Sequence, residues 1–241
     1  PGCDLYCGSA AKLARARTSY YCLCLEAGTI SRDSAQYVGK LRAETMGGRC
    51  WALYDNGLSA HDAAGDPVLL RRQLLSVEYE PNFLGAGGPA KLHVVLPTDE
   101  RPVTPGEDLA ARWRAGQRDG LVSLVNKPPR WDETLNSYVL EYNGRATRAS
   151  VKNIQLVAEG TGAPLDFQMG KVSDSRFNLD WRAPMSPLAA FGTALTVFDS
   201  KLGSSPAPPI LRAAPRTDGQ LGGGTHQSRP DPPPRAARPS P

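Results

Sequence analysis

The feature that most constrains the fold is an apolar stretch near the C-terminus. Residues 187–202 read PLAAFGTALTVFDSKL, and no charged residue occurs there before Asp199. Four large apolar side chains recur at helical spacing: Leu188, Phe191, Leu195 and Phe198. Small apolar residues cover the other faces, Pro187 suits a first helical turn, and Gly203 follows the last residue. We therefore predict a helix that is apolar on nearly every side and is buried as the core of the fold.

Protein rather than lipid is expected to surround this helix. As a helix, the 16 residues of this segment would extend about 24 Å. A transmembrane helix needs about 20 predominantly apolar residues. The segment is therefore too short for a bilayer span, and other parts of the chain must cover it.

Short runs typical of β-strands precede the predicted helix at regular intervals. Ten such runs occur: YYCLCL, QYVGKLR, CWALYDNG, LLSVEYE, AKLHVVLP, GLVSLVNK, SYVLEYNGR, VKNIQLVAE, LDFQMGKV and RFNLDWR. Their length and spacing indicate an all-β barrel or sandwich. A barrel wrapped around one helix accounts for both the strands and the apolar helix.

Turn residues and one short helix are also predicted. Asp55, Asn56 and Gly57 form one turn signal, and Asn143 with Gly144 forms another. Residues 107–115, EDLAARWRA, begin with acidic residues and carry arginines later, which suits a short helix and its dipole. We expect this helix to flank the barrel.

Charge and proline content divide the chain into three parts. Ten of the 22 prolines lie in residues 203–241, and this segment carries a net charge of +3 out of the +4 of the whole chain. We predict a disordered tail there, a folded domain at residues 19–202, and a basic segment at residues 1–18 that is truncated. Residues 1–202 together carry a net charge of +1. A nearly neutral domain offers little counterion release, so nucleic acid is not an expected partner.

Cysteine and histidine placement gives no support to metal or catalytic chemistry. The cysteines are odd in number and lie near the start of the chain: Cys3, Cys7, Cys22, Cys24 and Cys50. This pattern fits a reducing compartment. A metal site at the first four cysteines is the alternative, but alternation puts Cys22 and Cys24 on one strand face, where thiols pack well. The histidines are scattered and no serine has a nucleophile elbow, so we expect no metal, no cofactor and no enzymatic activity.

The order of these blocks resembles the tubby-like domain. The matching runs include QYVGKLR, ALYDNG, LLSVEYEPNFLGAGGPAKL, NGRATRASVKNIQLV, FQMGKV and AFGTALTVFDSKL. The resemblance covers residues 19–202. It implies a closed, about twelve-stranded antiparallel β-barrel around a central C-terminal α-helix. It also implies a basic surface site for phosphoinositides, chiefly phosphatidylinositol 4,5-bisphosphate. Family members usually have an additional first strand, and we expect residues 1–18 to lack it and to leave one barrel edge open.

Two cations in QYVGKLR are the leading site residues. Lys40 and Arg42 are two residues apart, so on a strand they share one face while Leu41 points inward. A guanidinium fork beside a compact ammonium suits adjacent phosphate groups. Both residues match the phosphoinositide-contacting pair of the family.

Other family positions differ, which predicts a reduced site. A further basic residue of the family aligns with Ala90, and Lys91 would point to the opposite face of a strand. An asparagine of the family aligns with Tyr20, which can still donate through its hydroxyl. Arg15 and Arg17 occupy a region that is basic in relatives and are expected to compensate.

We therefore predict a phosphoinositide-binding adaptor that tethers to a membrane. The predicted location is the cytoplasm, peripheral to the inner leaflet of the plasma membrane, with the nucleus or cilium as further sites. Protein partners are expected but not identified by the sequence. The alternatives are a transcription regulator, to which the arginines of the tail would contribute, and a protein-interaction scaffold whose lipid site has decayed.

Overall fold

The fold is mainly β, with one large antiparallel sheet and a C-terminal helix. A computed structural model describes residues 8–13, 17–26, 28–80, 91–134, 136–160 and 164–199. The strands are β1 (Ser9–Lys12), β2 (Tyr20–Cys24), β3 (Tyr37–Ala43), β4 (Cys50–Asp55), β5 (Gln73–Tyr79), β6 (Leu92–Pro97), β7 (Leu121–Asn126), β8 (Arg130–Asp132), β9 (Ser137–Val139), β10 (Ile154–Ala158), β11 (Phe167–Lys171) and β12 (Phe177–Trp181). The helices are α1 (Leu109–Arg114) and α2 (Pro187–Asp199).

Ten of the strands form one sheet in the order β1-β2-β3-β4-β5-β6-β7-β10-β11-β12, and β8 pairs with β9 in a separate ribbon. Every neighbouring pair in the large sheet is antiparallel. All ten runs predicted from the sequence contain a strand. Most neighbours in the sheet are also neighbours in the chain, so most of the sheet is a succession of antiparallel strands in chain order.

Helix α2 packs on the inner face of the sheet through its small residues. Ala190 and Thr193 are fully buried, and Gly192 lies so close to Leu53 that a β-carbon would be 3.3 Å from its Cδ2 atom. The predicted core residues Leu188, Phe191 and Leu195 are partly buried and pack against the core. The fourth, Phe198, was expected in the core, but it is 47% exposed. Strands that approach the helix closely leave room only for small side chains on the innermost face.

The sequence predicted both helices. Helix α1 is shorter than the predicted 107–115, and α2 begins at Pro187 as predicted, while its predicted end at residue 202 lies outside the described residues. Helix α1 begins after Asp108, whose carboxylate accepts a hydrogen bond from the Ala111 N–H at 3.0 Å. Asn143 and Gly144 both have positive φ, as their turn signal predicts.

The expectation that residues 1–18 lack a first strand was wrong, because Ser9–Lys12 form β1 and pair with β2. The run is only four residues long, and it was assigned to a basic segment. The predicted tail at residues 203–241 lies outside the described residues.

The two edge strands both contact the C-terminal end of α2. Lys12 of β1 donates to the Asp199 carboxylate at 2.7 and 3.0 Å, and Phe177 of β12 packs edge-to-face on Phe198 with 4.9 Å between ring centroids. Within the described residues, β1 and β12 share no backbone hydrogen bonds, so closure of the barrel stays a prediction. No helix among these residues is long and apolar enough to cross a membrane.

Candidate functional site

Strand β3 carries the two predicted cations on its outer face. Leu41, between them, is fully buried in the core, so Lys40 and Arg42 point away from α2. The strand register places Tyr20 of β2 directly across from Arg42. It places Tyr54 of β4 directly across from Lys40. The register therefore brings Lys40, Arg42 and Tyr20 together on neighbouring strands.

Lys40 is more buried than a residue on a solvated strand face would be. Its exposed fraction is 6%. Its Nζ atom lies 5.2 Å from the ring centroid of Tyr54 and 5.9 Å from that of Tyr20. Such contacts stabilise an ammonium group through the electron-rich ring faces. The two tyrosines therefore hold the ammonium in place and exclude water from it.

Two arginines that the sequence analysis did not identify complete the group. Arg71 lies just before β5, and its guanidinium carbon is 5.2 Å from the Tyr54 ring centroid. Arg32 lies in the connection between β2 and β3, and its charge also acts on Lys40. We call Lys40, Arg42, Arg32 and Arg71 the cationic cluster. No periodic signal marks Arg71 in the sequence, because its distance to Tyr54 depends on the pairing of β4 with β5.

The electrostatics of the cluster are unbalanced in the absence of an anion. Burial, which is the largest cause, and the positive charges of Arg71, Arg32 and Arg42 together lower the pKa of Lys40 to about 8. Among the described residues, no carboxylate forms an ion pair with any member of the cluster. Glu44 lies beside the cluster and contacts Tyr54 rather than a cation: its carboxylate accepts a hydrogen bond from the Tyr54 hydroxyl at 3.0 Å. An anion from outside the chain would relieve this repulsion.

Of the remaining predicted site residues, Lys91 lies apart from the cluster. Lys91 is three strands from β3, about 14 Å at the usual strand spacing, and its Nζ atom lies 3.8 Å from Glu80 Oε2. Arg17 is exposed in the connection between β1 and β2, at the end of the sheet where Arg42 lies. Arg15 and Ala90 lie outside the described residues. Strand alternation alone did not reveal how many strands separate Lys91 from β3.

The chemistry of the cluster is that of anion binding. Guanidinium groups and an ammonium donate charge-assisted hydrogen bonds to phosphate oxygens, and aromatic rings beside them limit solvent access. Burial raises the pKa of Tyr54 to about 12 and raises that of Tyr20, so both hydroxyls remain donors near neutral pH. Cys22, across from Lys40, is a buried free cysteine whose thiol pKa is raised by burial. The described residues contain no group of three or more potential metal-binding side chains.

Comparison with known proteins gives consistent matches over this region. The model of the Tub family matches residues 5–200. Tubby-related protein 1 of Mus musculus is 38% identical over 200 residues, which is 79% of this chain and 37% of the relative. Tubby protein homolog 1 of Caenorhabditis elegans is 35% identical over 207 residues, covering 80% of this chain and 48% of the relative. Protein king tubby 2 of Culex quinquefasciatus is 37% identical over 210 residues, covering 83% and 48%. The chain thus spans less than half the length of these relatives.

Proposed function

The chain belongs to the Tub family, and from that premise we propose that it binds phosphoinositide headgroups, chiefly phosphatidylinositol 4,5-bisphosphate, through the cationic cluster. One observation carries the proposal. Lys40 is 6% exposed, is surrounded by three arginines that lower its pKa, and has no carboxylate partner among the described residues. A buried ammonium in such a position is costly unless an anion compensates its charge.

The geometry of β3 supports a headgroup with adjacent phosphates. Lys40 and Arg42 lie two residues apart on one face, about 7 Å along the strand, with Tyr20 directly across from Arg42. One phosphate is proposed to lie between the ammonium and the guanidinium of Arg42. The Tyr20 hydroxyl is proposed to donate in place of the asparagine that the resemblance implies.

The proposed biological role is that of a membrane-tethering adaptor rather than an enzyme. Lipid binding would hold the domain at the inner leaflet of the plasma membrane, and loss of the lipid would release it to the cytosol or nucleus. The cluster contains donors but no general base aligned with a nucleophile, which supports binding without chemistry. Release in this way would couple lipid turnover to the location of the protein.

The test is sedimentation of the full chain with vesicles that contain one phosphoinositide at a time. Vesicles of phosphatidylcholine with phosphatidylserine at matched surface charge serve as the control. We expect strong binding to bisphosphorylated lipids and weak binding to the control vesicles. A folded protein that ignores every phosphoinositide would contradict the proposal and favour a protein-interaction scaffold. Steeply salt-dependent DNA binding that is lost on deletion of residues 203–241 would favour transcriptional regulation.

Headgroup binding is expected to weaken as the pH rises from 7 to 9. The pKa of free Lys40 is about 8, whereas a bound polyanion favours the protonated form and raises that pKa. The protonated fraction of free Lys40 falls about tenfold between these pH values, so the affinity should fall about tenfold. Phosphate groups are ionised throughout this range because their second pKa is about 6. Calorimetry with a soluble inositol phosphate at several pH values measures the effect.

The control for this pH dependence is Lys40→Arg. A guanidinium stays charged across the whole range, so the variant should bind with nearly constant affinity between pH 7 and 9. The neighbouring tyrosines do not titrate in this window, since burial raises the pKa of Tyr54 to about 12 and raises those of Tyr20 and Tyr37. Equal pH profiles for wild type and variant would show that Lys40 is not the titrating group.

We also propose that the sheet closes into a barrel around α2. Two contacts support closure: the ion pair between Lys12 and Asp199 at 2.7 Å, and the contact between Phe177 and Phe198. Both edge strands therefore lie beside the same end of the helix. Backbone pairing between β1 and β12 should protect their amides from hydrogen exchange. Rapid exchange along both strands in the folded protein would contradict closure.

A further inference from the structure

The connection between β4 and β5, residues 56–72, exposes three large apolar side chains. Leu58, Val68 and Leu69 are 37%, 82% and 46% exposed, and we call them the apolar tip. Apolar side chains that are scattered singly over a surface need no explanation. Those of the apolar tip lie together, because the Leu58 N–H donates to the Leu69 carbonyl oxygen at 2.7 Å.

Hydrogen bonds fix the backbone that carries the apolar tip. The Arg71 N–H donates to the Leu58 carbonyl oxygen at 3.0 Å, which pairs the two arms of the connection beside the tip. The Asp55 carboxylate pairs them again at the end of β4, where it accepts from the Gly57 N–H at 3.0 Å and the Arg72 N–H at 2.9 Å. The apolar side chains are therefore held outward without a further cost in backbone entropy on binding.

The apolar tip lies beside the cationic cluster. Asp55, where the connection begins, is paired with Gly39, and Gly39 directly precedes Lys40. At the other arm, Leu69 is two residues before Arg71, so at most about 7 Å separates their Cα atoms. A lipid whose headgroup is bound at the cluster therefore brings the membrane surface to the apolar tip.

Charges around the apolar tip are compatible with an anionic membrane surface. Within residues 56–72, the carboxylates of Asp62 and Asp66 are balanced by Arg71 and Arg72. The Asp66 carboxylate is turned onto the backbone, where it accepts from the Val68 N–H at 2.9 Å. The other cations of the cluster then leave this end of the sheet positive, which favours anionic lipids.

The size of the apolar tip favours a lipid surface over a protein partner. A specific protein interface buries at least about 1,000 Å² and involves about 20 to 30 residues on each side, far more than three side chains provide. A bilayer accepts individual aliphatic side chains, and the gain in affinity grows with the apolar area that each one buries.

We propose that Val68 and Leu69 insert into the boundary between the headgroups and the acyl chains of a bilayer while the cationic cluster holds a phosphoinositide headgroup. This inference rests on the proposed function and adds to it a second contact with the membrane. The headgroup selects the lipid, and the apolar tip contributes affinity through the acyl chains. Loss of the tip should therefore weaken binding to vesicles and not binding to a free headgroup.

The test compares the full chain with a Val68→Ser/Leu69→Ser variant. The vesicles contain phosphatidylcholine and phosphatidylserine, with or without phosphatidylinositol 4,5-bisphosphate. We expect the variant to bind the phosphoinositide vesicles about tenfold more weakly in sedimentation. Its affinity for inositol 1,4,5-trisphosphate, measured by calorimetry, should not change, because the free headgroup has no acyl chains.

Val151→Ser is the matched control. Val151 is also an exposed valine, with an exposed fraction of 43%. It lies in the connection before β10, which is five strands from β3 in the ten-strand sheet. Its replacement should leave vesicle binding unchanged. Thermal melting checks that every variant is folded at the temperature of the binding measurement.

Tryptophan substitution measures the position of the apolar tip directly. Val68→Trp places an indole ring where a membrane interface favours one. Brominated phosphatidylcholine in the vesicles should therefore quench more of the fluorescence of Val68→Trp than of the wild type. Val151→Trp should add no such quenching.

The outcomes separate this inference from the proposed function. If Val68→Ser/Leu69→Ser binds vesicles like Val151→Ser, the inference is wrong and the proposed function stands. If the folded double variant also loses affinity for the trisphosphate, the tip acts through the cluster and the inference is again wrong. If the wild type is a dimer that the double variant dissociates, with vesicle binding unchanged, the tip joins two copies of the chain instead.

Two results with the wild type bear on both claims. If it binds no vesicle, the inference and the proposed function are both wrong. If it binds equally with and without the phosphoinositide, and the double variant binds both kinds of vesicle more weakly, the inference stands and the proposed headgroup recognition is wrong.

Discussion

Replacement of Lys40 and Arg42 together by alanine is expected to lower the affinity for phosphatidylinositol 4,5-bisphosphate vesicles by about a hundredfold or more. Each side chain is proposed to donate charge-assisted hydrogen bonds to phosphate oxygens, worth on the order of 1 to 3 kcal/mol apiece. Both lie on the outer face of β3, where Leu41 between them packs in the core. Vesicle sedimentation over a lipid titration measures the loss.

The double variant should lose binding without losing stability. Burial and three neighbouring arginines lower the pKa of Lys40, which means that its charged form destabilises the free protein. Removing that charge is therefore not expected to unfold the domain, and circular dichroism with thermal melting checks this.

A second double variant separates specific binding from general charge attraction. Arg49→Ala/Arg72→Ala also removes two exposed positive charges, but both residues lie outside the cationic cluster. It should reduce vesicle binding only slightly, through the surface potential. Equal losses in the two double variants would show that membranes attract the domain through net charge alone.

The part of the site that follows from strand alternation was predictable from the sequence. A period of two puts Lys40 and Arg42 on one face and Leu41 on the other, and the structure confirms both placements. The same reasoning located ten strands, because each run is short, apolar on one face and followed by turn residues. Local patterns such as these need no knowledge of which strand lies beside which.

The contributions of Arg32 and Arg71 were not predictable in this way. Arg71 is 31 positions from Lys40 in the chain, and it reaches the cluster only because β4 pairs with both β3 and β5. Lys91 shows the converse, since it is basic and close to a family site in sequence but three strands away in the sheet. Connections between strands carry no periodic signal, so their side chains are placed by tertiary structure.

The burial of individual residues of α2 was also not predictable from the sequence. Large residues of α2 were expected to form its core face, yet the fully buried positions are the small ones, including Ala190 and Thr193. Helical spacing identified an apolar helix but not the width of the space around it. That width is set by how closely the strands approach, for example at Leu53 opposite Gly192, and such distances depend on the whole sheet.

Gly39→Ala is expected to lower the free energy of unfolding by about 3 kcal/mol. A β-carbon at Gly39 would lie 2.2 Å from the carbonyl oxygen of Tyr54. This oxygen belongs to the backbone of β4, so no side-chain rotation relieves the clash, and the paired strands must separate locally. Gly39 and Asp55 are paired in the β3–β4 register. Urea denaturation followed by circular dichroism measures the change.

Gly47→Ala, in the turn between the same two strands, is the control for this loss. A β-carbon there meets no atom within 4 Å and Gly47 does not require positive φ, so its effect should stay within about 0.5 kcal/mol. Unchanged stability of Gly39→Ala would mean that β3 and β4 pair less closely than the structure indicates.

Because Gly39 directly precedes Lys40, separation of these strands also moves the ammonium away from the Tyr54 ring. Under conditions where Gly39→Ala is folded, its affinity for the headgroup should therefore fall, while the affinity of Gly47→Ala should not. This result would link the backbone packing of β3 to the position of the cationic cluster.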